Sequence, residues 1–359
     1  MPSITAFNNF VKSTGEKLKT SPDQILNDAV KNTYIIGRML KGGGNADSVQ
    51  SGTKITDRVM LSDAGTATFY NPNDDLNIQN VDTLRTIEMN WRFHANHFSY
   101  TEQEVNLNSG DAQTYYKNLL KVKRQQTVTD THNHIEETLW ATPSNTDMEG
   151  NTSATPRPYS IPAFVTYDGL APSGFTTVMT LSPSTESGWR NKVRTYDSAD
   201  LTNPDSGVVS AFDRMFLDVR FKAPRPGEYF ENDSYQQQMI ATSLEGKLLY
   251  LRLTRDANDR LVGDNLGSQQ ADLNYAGIPI EYVAELDNAG WATGQPRWYM
   301  LNLKYLHPIW HSSEYMKEKA PINHPRQPFS YVVWTSTYYN LFCMSRKRQG
   351  IIRPVGVTS

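Results

Sequence analysis

Residues 328–355, PFSYVVWTSTYYNLFCMSRKRQGIIRPV, decide the fold. Between Tyr331 and Phe342 the apolar and β-branched residues stand next to one another instead of alternating with polar ones. That pattern predicts one or two strands covered on both faces, so this end of the chain must be docked against something. Directly after it come Met344, Ser345, Arg346, Lys347, Arg348, Gln349 and Gly350, a basic strand end. Its guanidinium groups suit bidentate pairing with carboxylates, either of another part of the molecule or of another copy of it. A solvated strand end and a nucleic-acid contact are the competing readings of the same cluster.

Working outward, the totals exclude several classes. The chain has 359 residues, 38% of them hydrophobic, and a formal net charge of −3. A thin core for the length is implied, and no chain-wide attraction for a phosphate backbone is available. The single cysteine, Cys343, rules out an internal disulfide framework and reads as a small buried hydrophobe. The first residues show neither a continuous apolar h-region nor a small-residue cleavage site, and no run of about eighteen apolar residues occurs. The reading is a protein folded in a cytoplasm, with no membrane partner.

Along the chain, residues 1–41 carry short helical patterns, with a helix start at Ser21-Pro22-Asp23, and Gly42, Gly43 and Gly44 form a flexible joint. Extended segments at residues 56–70 and 81–100 flank the turn-rich 71–75, a long hairpin with too little apolar content at its tip for a core of its own. It is expected to lie on a neighbouring subunit. Residues 111–141 follow with a helical stripe of Ala112, Tyr115, Tyr116, Leu119, Val122, Val128, His132, Ile135 and Leu139, a strut of about 45 Å. Extended pieces are expected at 159–165 and 175–181, a helix at 208–219, and strands at 248–253, 275–286 and 297–306.

Catalytic signatures do not assemble. His94 and His97 point to opposite faces of a strand, His132 and His134 diverge on a helix, and His307 and His311 lack a nearby carboxylate pair. Glu136 and Glu137 diverge and cannot face one sugar. No nucleophile elbow or dinucleotide loop is present. The expectation is no enzyme, no cofactor and no metal.

The order of arm, hairpin, strut helix, mixed α/β region and final apolar strand, with the phrases IEMNWRFHANHFSYTEQE, YSIPAF, FDRM, AGIPIEYV, MLNLKYLHPIWH and NLFCMSRKRQGIIRPV, resembles the major capsid proteins of tailed bacteriophages. The resemblance implies an α+β fold of the Hong Kong ninety-seven type. It would place an N-terminal arm at 1–55, an extended loop at 56–100, a peripheral domain at 101–205 and 320–359 with its spine helix at 111–141, and a mainly axial domain at 206–319. It implies self-assembly, as hexamers and pentamers, into an icosahedral shell enclosing double-stranded DNA without sequence-specific binding. Scaffolding, portal and cement proteins would be partners, and the place would be the virion capsid, assembled in the host cytoplasm. The residues before Gly42 look too short for a fused scaffold. Residues 55–116 contain no lysine, so the loop cannot supply the lysine with which some relatives cross-link their shells. Contacts are therefore expected to be non-covalent.

The residues expected to make intersubunit contacts are Trp91, Arg92 and Phe93 at the loop base, Glu102 and Glu104 at the entrance to the spine, and Arg346 and Arg348 in the terminal strand. A virion tail or decoration protein, and a carbohydrate-active enzyme, are the rival classes.

Overall fold

The computed structural model describes Ile35, Met39 and residues 48–49, 52–62, 65–69, 71, 82–107, 119–150, 153–220, 238–257, 273–287, 291, 295–324 and 326–357. The helix start at 21–23, the glycine joint at 42–44 and the first eight residues of the predicted strut lie outside them.

The decisive stretch forms one 17-residue strand, β13 (Gln327–Cys343). Its first three residues are exposed, whereas Tyr339 to Cys343 are buried without interruption, as the continuous apolar run requires. One edge of β13 pairs antiparallel along its length with β4 (Arg92–Thr101), from Ser330↔Thr101 to Tyr339↔Arg92. The other edge takes β10 (Leu306–His311), β11 (Lys317–Glu318) and β12 (Ile322–His324), and β1 (Ser48–Val49) adds to β10 in parallel. This is the first sheet.

After β13 the chain turns through a single 3₁₀ turn, Arg346–Arg348, and enters a second sheet as β14 (Gly350–Pro354). The order there is β5 (Lys192–Tyr196), β14, β9 (Trp298–Asn302), β6 (Gln238–Thr242), β8 (Ile278–Tyr282), β7 (Asn274–Tyr275). Every residue of β6 and β9 is buried. On β9 the side chains alternate between two apolar cores: Trp298 and Met300 pack with Val208, Phe212, Met215 and Val219, whereas Tyr299 and Leu301 join the core that contains Trp140 and Leu286. Each sheet draws its strands from distant parts of the chain. Residues 306–324 belong with β13, while 192–196 and 350–354 belong with 238–302, because backbone pairing follows strand register over more than a hundred residues of separation.

Four helices matter here: α1 (Glu102–Leu107), α2 (Leu119–Trp140), α3 (Val208–Arg220) and α4 (Leu244–Ala257). The described part of the strut is α2, about 33 Å long at 1.5 Å per residue. Its buried face differs from the expected stripe, since Val128 and His132 are only partly covered and Thr127, Thr131, Ile135, Thr138 and Leu139 are buried. β-Branched threonines are poor helix formers. Here their hydroxyls bond back to Lys123 O, Thr127 O and Ile135 O, each at 2.8 Å, so a polar residue is buried with its hydrogen bond made.

Three local expectations are corrected. Residues 248–253 lie in α4, not in a strand: the Gly246 N–H bonds Ser243 Oγ at 3.3 Å as a helix cap, and Tyr250 and Leu251 are buried while Leu248 and Arg252 face outward. A side chain at Gly246 would collide with Thr242 Oγ1, which lets α4 start tight against β6. The stretch 159–165 contains a helical turn, Ile161–Phe164, with Pro162 in its opening turn. The stretch 175–181 folds over itself through Met179 (φ 53°) and Thr180 (φ 70°), closed by a Val178↔Leu181 bridge. Left-handed backbone at two non-glycine residues persists because Met179 is buried and its amide and carbonyl are both engaged, by Tyr159 Oη and the Glu88 N–H.

Candidate assembly surfaces

The expected hairpin forms a ribbon whose two strands are both shorter than the segments 56–70 and 81–100. β2 (Lys54–Met60) pairs with β3 (Leu84–Asn90) from Lys54↔Asn90 to Met60↔Leu84. At Trp91 the same extended segment leaves the ribbon and becomes β4, so residues 92–100 belong to the first sheet and not to the loop. The pivot is held from several sides: Trp91 Nε1 donates to Gly52 O at 2.9 Å, Asn340 Nδ2 to Asn90 O at 2.7 Å, and Asn90 Nδ2 to Glu149 O at 3.3 Å.

The near half of the ribbon also has a bed on its own subunit. Ile55, Val59, Ile87 and Met89 are buried, Arg85 Nε donates to Glu186 at 2.9 Å, and Thr180 Oγ1 to Thr86 O at 3.3 Å. The opposite face is open, and among the described residues Met60 is 68% and Leu84 50% exposed and Phe69 fully so. These are open apolar side chains on the described part of the ribbon.

The seven residues singled out from sequence fall into different environments. Trp91 and Arg92 are buried. Arg92 Nη2 donates to Met148 O at 2.5 Å and Gly150 O at 3.0 Å, and burial lowers its pKa. Phe93, the next residue, points the other way and is 66% exposed, its ring edge-on to Tyr338 at 4.7 Å. Glu102 accepts the Tyr331 hydroxyl at 2.9 Å, which raises the pKa of that phenol.

Glu104 closes a reciprocal cap on α1: its carboxylate accepts the Thr101 N–H at 2.9 Å while its own N–H donates to Thr101 Oγ1 at 3.2 Å. Lys123 of α2 adds an ion pair at 3.1 Å. Partial burial works against the charge, yet the Thr101 amide and Lys123 outweigh it and hold the Glu104 pKa below the ordinary range. Glu104→Ala is expected to cost about 1 kcal/mol, read as a lower urea midpoint at unchanged slope. Glu104→Gln, which keeps the acceptor, should cost less than half of that.

Arg346 is the clear correction. It is completely buried, and its guanidinium donates to Phe164 O and Leu170 O at 2.8 Å, Asn191 Oδ1 at 3.2 Å and Trp189 O at 3.3 Å, all in its own chain. Burial brings its pKa down to about 10, so it remains a cation at neutral pH. A side chain so enclosed cannot reach a neighbour's carboxylate. Arg348, two residues on, is partly exposed.

A surface missed from sequence is the face of the first sheet turned away from α2. Register places Phe93 against Tyr338 and His97 against Trp334, and the latter rings meet at 4.8 Å with Trp334 41% exposed. These residues lie about 240 positions apart in sequence, so periodicity within either strand could mark them only as outward-facing.

A cavity of about 220 Å³ opens at the ribbon root, lined by Lys54, Glu88, Met89, Asn90, Glu149 and Tyr159 among others. Burial raises the Glu149 pKa, and its carboxylate accepts the Tyr159 hydroxyl at 2.9 Å and the Thr177 hydroxyl at 3.3 Å. Neighbouring Asp147 is held down to about 2 by Ser153 and Arg157. Its folded pKa lies below the unfolded one, so the latch between the turn Asn145–Met148 and Arg157 is complete above about pH 4 and is lost as pH falls toward 2. Peptic cleavage near residues 153–157 should therefore rise across that window, and Asp147→Asn, which lacks the titrating group, should leave cleavage high throughout and abolish the rise. Among the described residues there is no cluster of three or more His, Cys, Asp or Glu side chains fit to hold a metal ion, and no helix long and apolar enough to cross a membrane.

No family model and no curated protein matches this sequence. Among solved structures, the capsid asymmetric unit of cyanophage A-1(L) is similar with a TM-score of 0.62 at 14% identity, over 94% of this chain and 99% of that one. The protein has the phage capsid fold. The capsid of the native GTA particle is similar at a TM-score of 0.55 and 10% identity, over 92% and 95% of the two chains. The capsid of the empty GTA particle gives 0.54 and 9%, over 92% and 100%. The likeness covers most of the length of both chains, and it is a likeness of architecture at low sequence identity.

Proposed function

We propose that this chain is a major capsid protein, whose copies assemble as hexamers and pentamers into an icosahedral shell around a double-stranded DNA genome. The observation that carries this reading is the capsid fold itself, matched along nearly the full length of this chain and of the similar capsid subunit. The first sheet with α2 serves as the peripheral domain and the second sheet with α3 and α4 as the axial domain. The role is structural, not catalytic. Scaffolding, portal and cement proteins are the further partners of the assembly.

The outer half of the ribbon supports the same reading. A two-stranded ribbon is marginally stable alone, and Met60, Phe69 and Leu84 gain their cover from a neighbouring copy. Phe93, Glu102, Arg348 and the Trp334 face lie where such a copy can touch them. Burying about 2,000 Å² of interface at about 25 cal/mol per Å² of apolar surface gives tens of kcal/mol before ordering costs. Each contact can be weak, because neighbours already placed raise the effective concentration for the next. With no lysine in residues 55–116, the shell holds without a covalent bond from the loop.

Negative-stain microscopy of the purified full chain, alone and co-expressed with its candidate scaffold, tests the proposal. Closed polyhedral particles are the expected result. Open tubes, rings or trimers in both preparations would favour a tail or decoration protein instead.

A further inference from the structure

On the inner face of the first sheet, β4 presents Arg92, His94, Asn96, Phe98 and Tyr100 on one side, as pleating requires. Three ties connect this side to α2. Lys123 Nζ donates to Ser99 O at 2.9 Å and pairs with Glu104. Asn96 Nδ2 lies within bonding distance of Asp130 Oδ2 at 2.8 Å, Thr131 Oγ1 at 3.1 Å and Thr127 O at 3.2 Å. The third tie is a contact between two imidazoles, His94 of β4 and His134 of α2, with ring centroids 5.1 Å apart.

We propose that the His94–His134 contact is a proton-operated catch: closed while the His94 ring is neutral, it opens on mild acidification and frees α2 beyond Thr131 from the sheet. The first two ties need no imidazole and persist in weak acid, so the response is local. A positive charge on His94 is poorly accommodated, since its ring lies between helix and sheet where water screens poorly.

The charges around the catch point the same way. Arg92, two residues along the same side of β4, is a fixed cation. Thr337 of β13, in register with His94, is uncharged. From α2 come His134 and Asp130, with Glu137 one turn beyond His134. Burial first, and then His134, hold the His94 imidazole below its ordinary range, and Asp130 offsets only part of this. With the folded pKa below the unfolded one, the contribution to stability is complete above about pH 6.5 and declines as pH falls. His132, on a different side of α2, is also held low by burial but does not form the ring pair, which makes it the natural control.

The inference concerns the folded subunit and stands whether or not shells form. Hydrogen–deuterium exchange of the full chain, corrected for intrinsic rates, is compared at about pH 7.5 and about pH 5. Protection in 132–137 should drop ~10-fold or more in acid, while 298–302 and 350–354 stay unchanged. His94→Gln and His134→Gln should each abolish the difference, and His132→Gln should keep it. Unchanged protection in the unaltered chain, or a drop that survives both substitutions, overturns the proposal. Should either variant fail to fold, NMR titration of the His94 ring decides: His94 must titrate below an ordinary imidazole and rise when His134 is replaced by Phe, and an unmoved midpoint overturns the catch.

Discussion

Arg346→Met should destabilise the subunit by about 3–5 kcal/mol, a large part of the total stability of an ordinary domain. The guanidinium holds three backbone carbonyls and the Asn191 side chain, drawn from the short helix at 161–164, from Leu170 and from the segment 189–191. Methionine fills the space but donates nothing, so those acceptors are left buried and dry, at about 1–3 kcal/mol for each one that finds no new donor. Arg346→Lys keeps the charge and loses the planar fork, and should fall between the two. Urea titration followed by tryptophan fluorescence measures all three, since Trp189 lies at the site. A loss below about 1 kcal/mol for the methionine variant would mean that the guanidinium is not what holds these segments. The same geometry means that Arg346→Glu would unfold the chain and say nothing about an interface. Arg348→Glu is the substitution that probes one.

The second large effect is expected on assembly with little on folding. Replacing residues 61–83 by Asn-Gly joins Met60 to Leu84, which already face each other in register, by a two-residue turn suited to a hairpin. The near half of the ribbon keeps its bed, because Ile55, Val59, Ile87 and Met89 and the Arg85–Glu186 pair are untouched. The melting temperature should change by no more than a few degrees. Shell formation should fall to background by sedimentation and microscopy. Normal shells from this variant would show that the outer ribbon is dispensable, and with it the view that a neighbour covers Phe69.

Much of the architecture is legible from local pattern. The uninterrupted apolar run gives β13 its central place, the helix at Val208–Arg220 follows from its spacing, and Ile278–Tyr282 and Trp298–Asn302 are strands where strands are expected. The candidate surfaces are less legible. Trp91 and Phe93 read alike as loop-base aromatics, yet one is buried and the other exposed, because the extended segment changes partner between them. The strut shows the same limit. Its buried side is written in threonines, which a search for apolar spacing passes over, and their burial is tolerated only because each of three hydroxyls finds a carbonyl one turn back.

The order of elements, the ribbon and the buried final strand were determined by the amino-acid sequence alone, because backbone geometry and side-chain periodicity act between near neighbours. Tertiary structure alone decided that Arg346 is an internal clasp, that the last strand crosses into the second sheet, and that His94 meets His134. Those outcomes rest on desolvation and on hydrogen bonds between residues some 40 to 250 positions apart, for which no local pattern carries a signal.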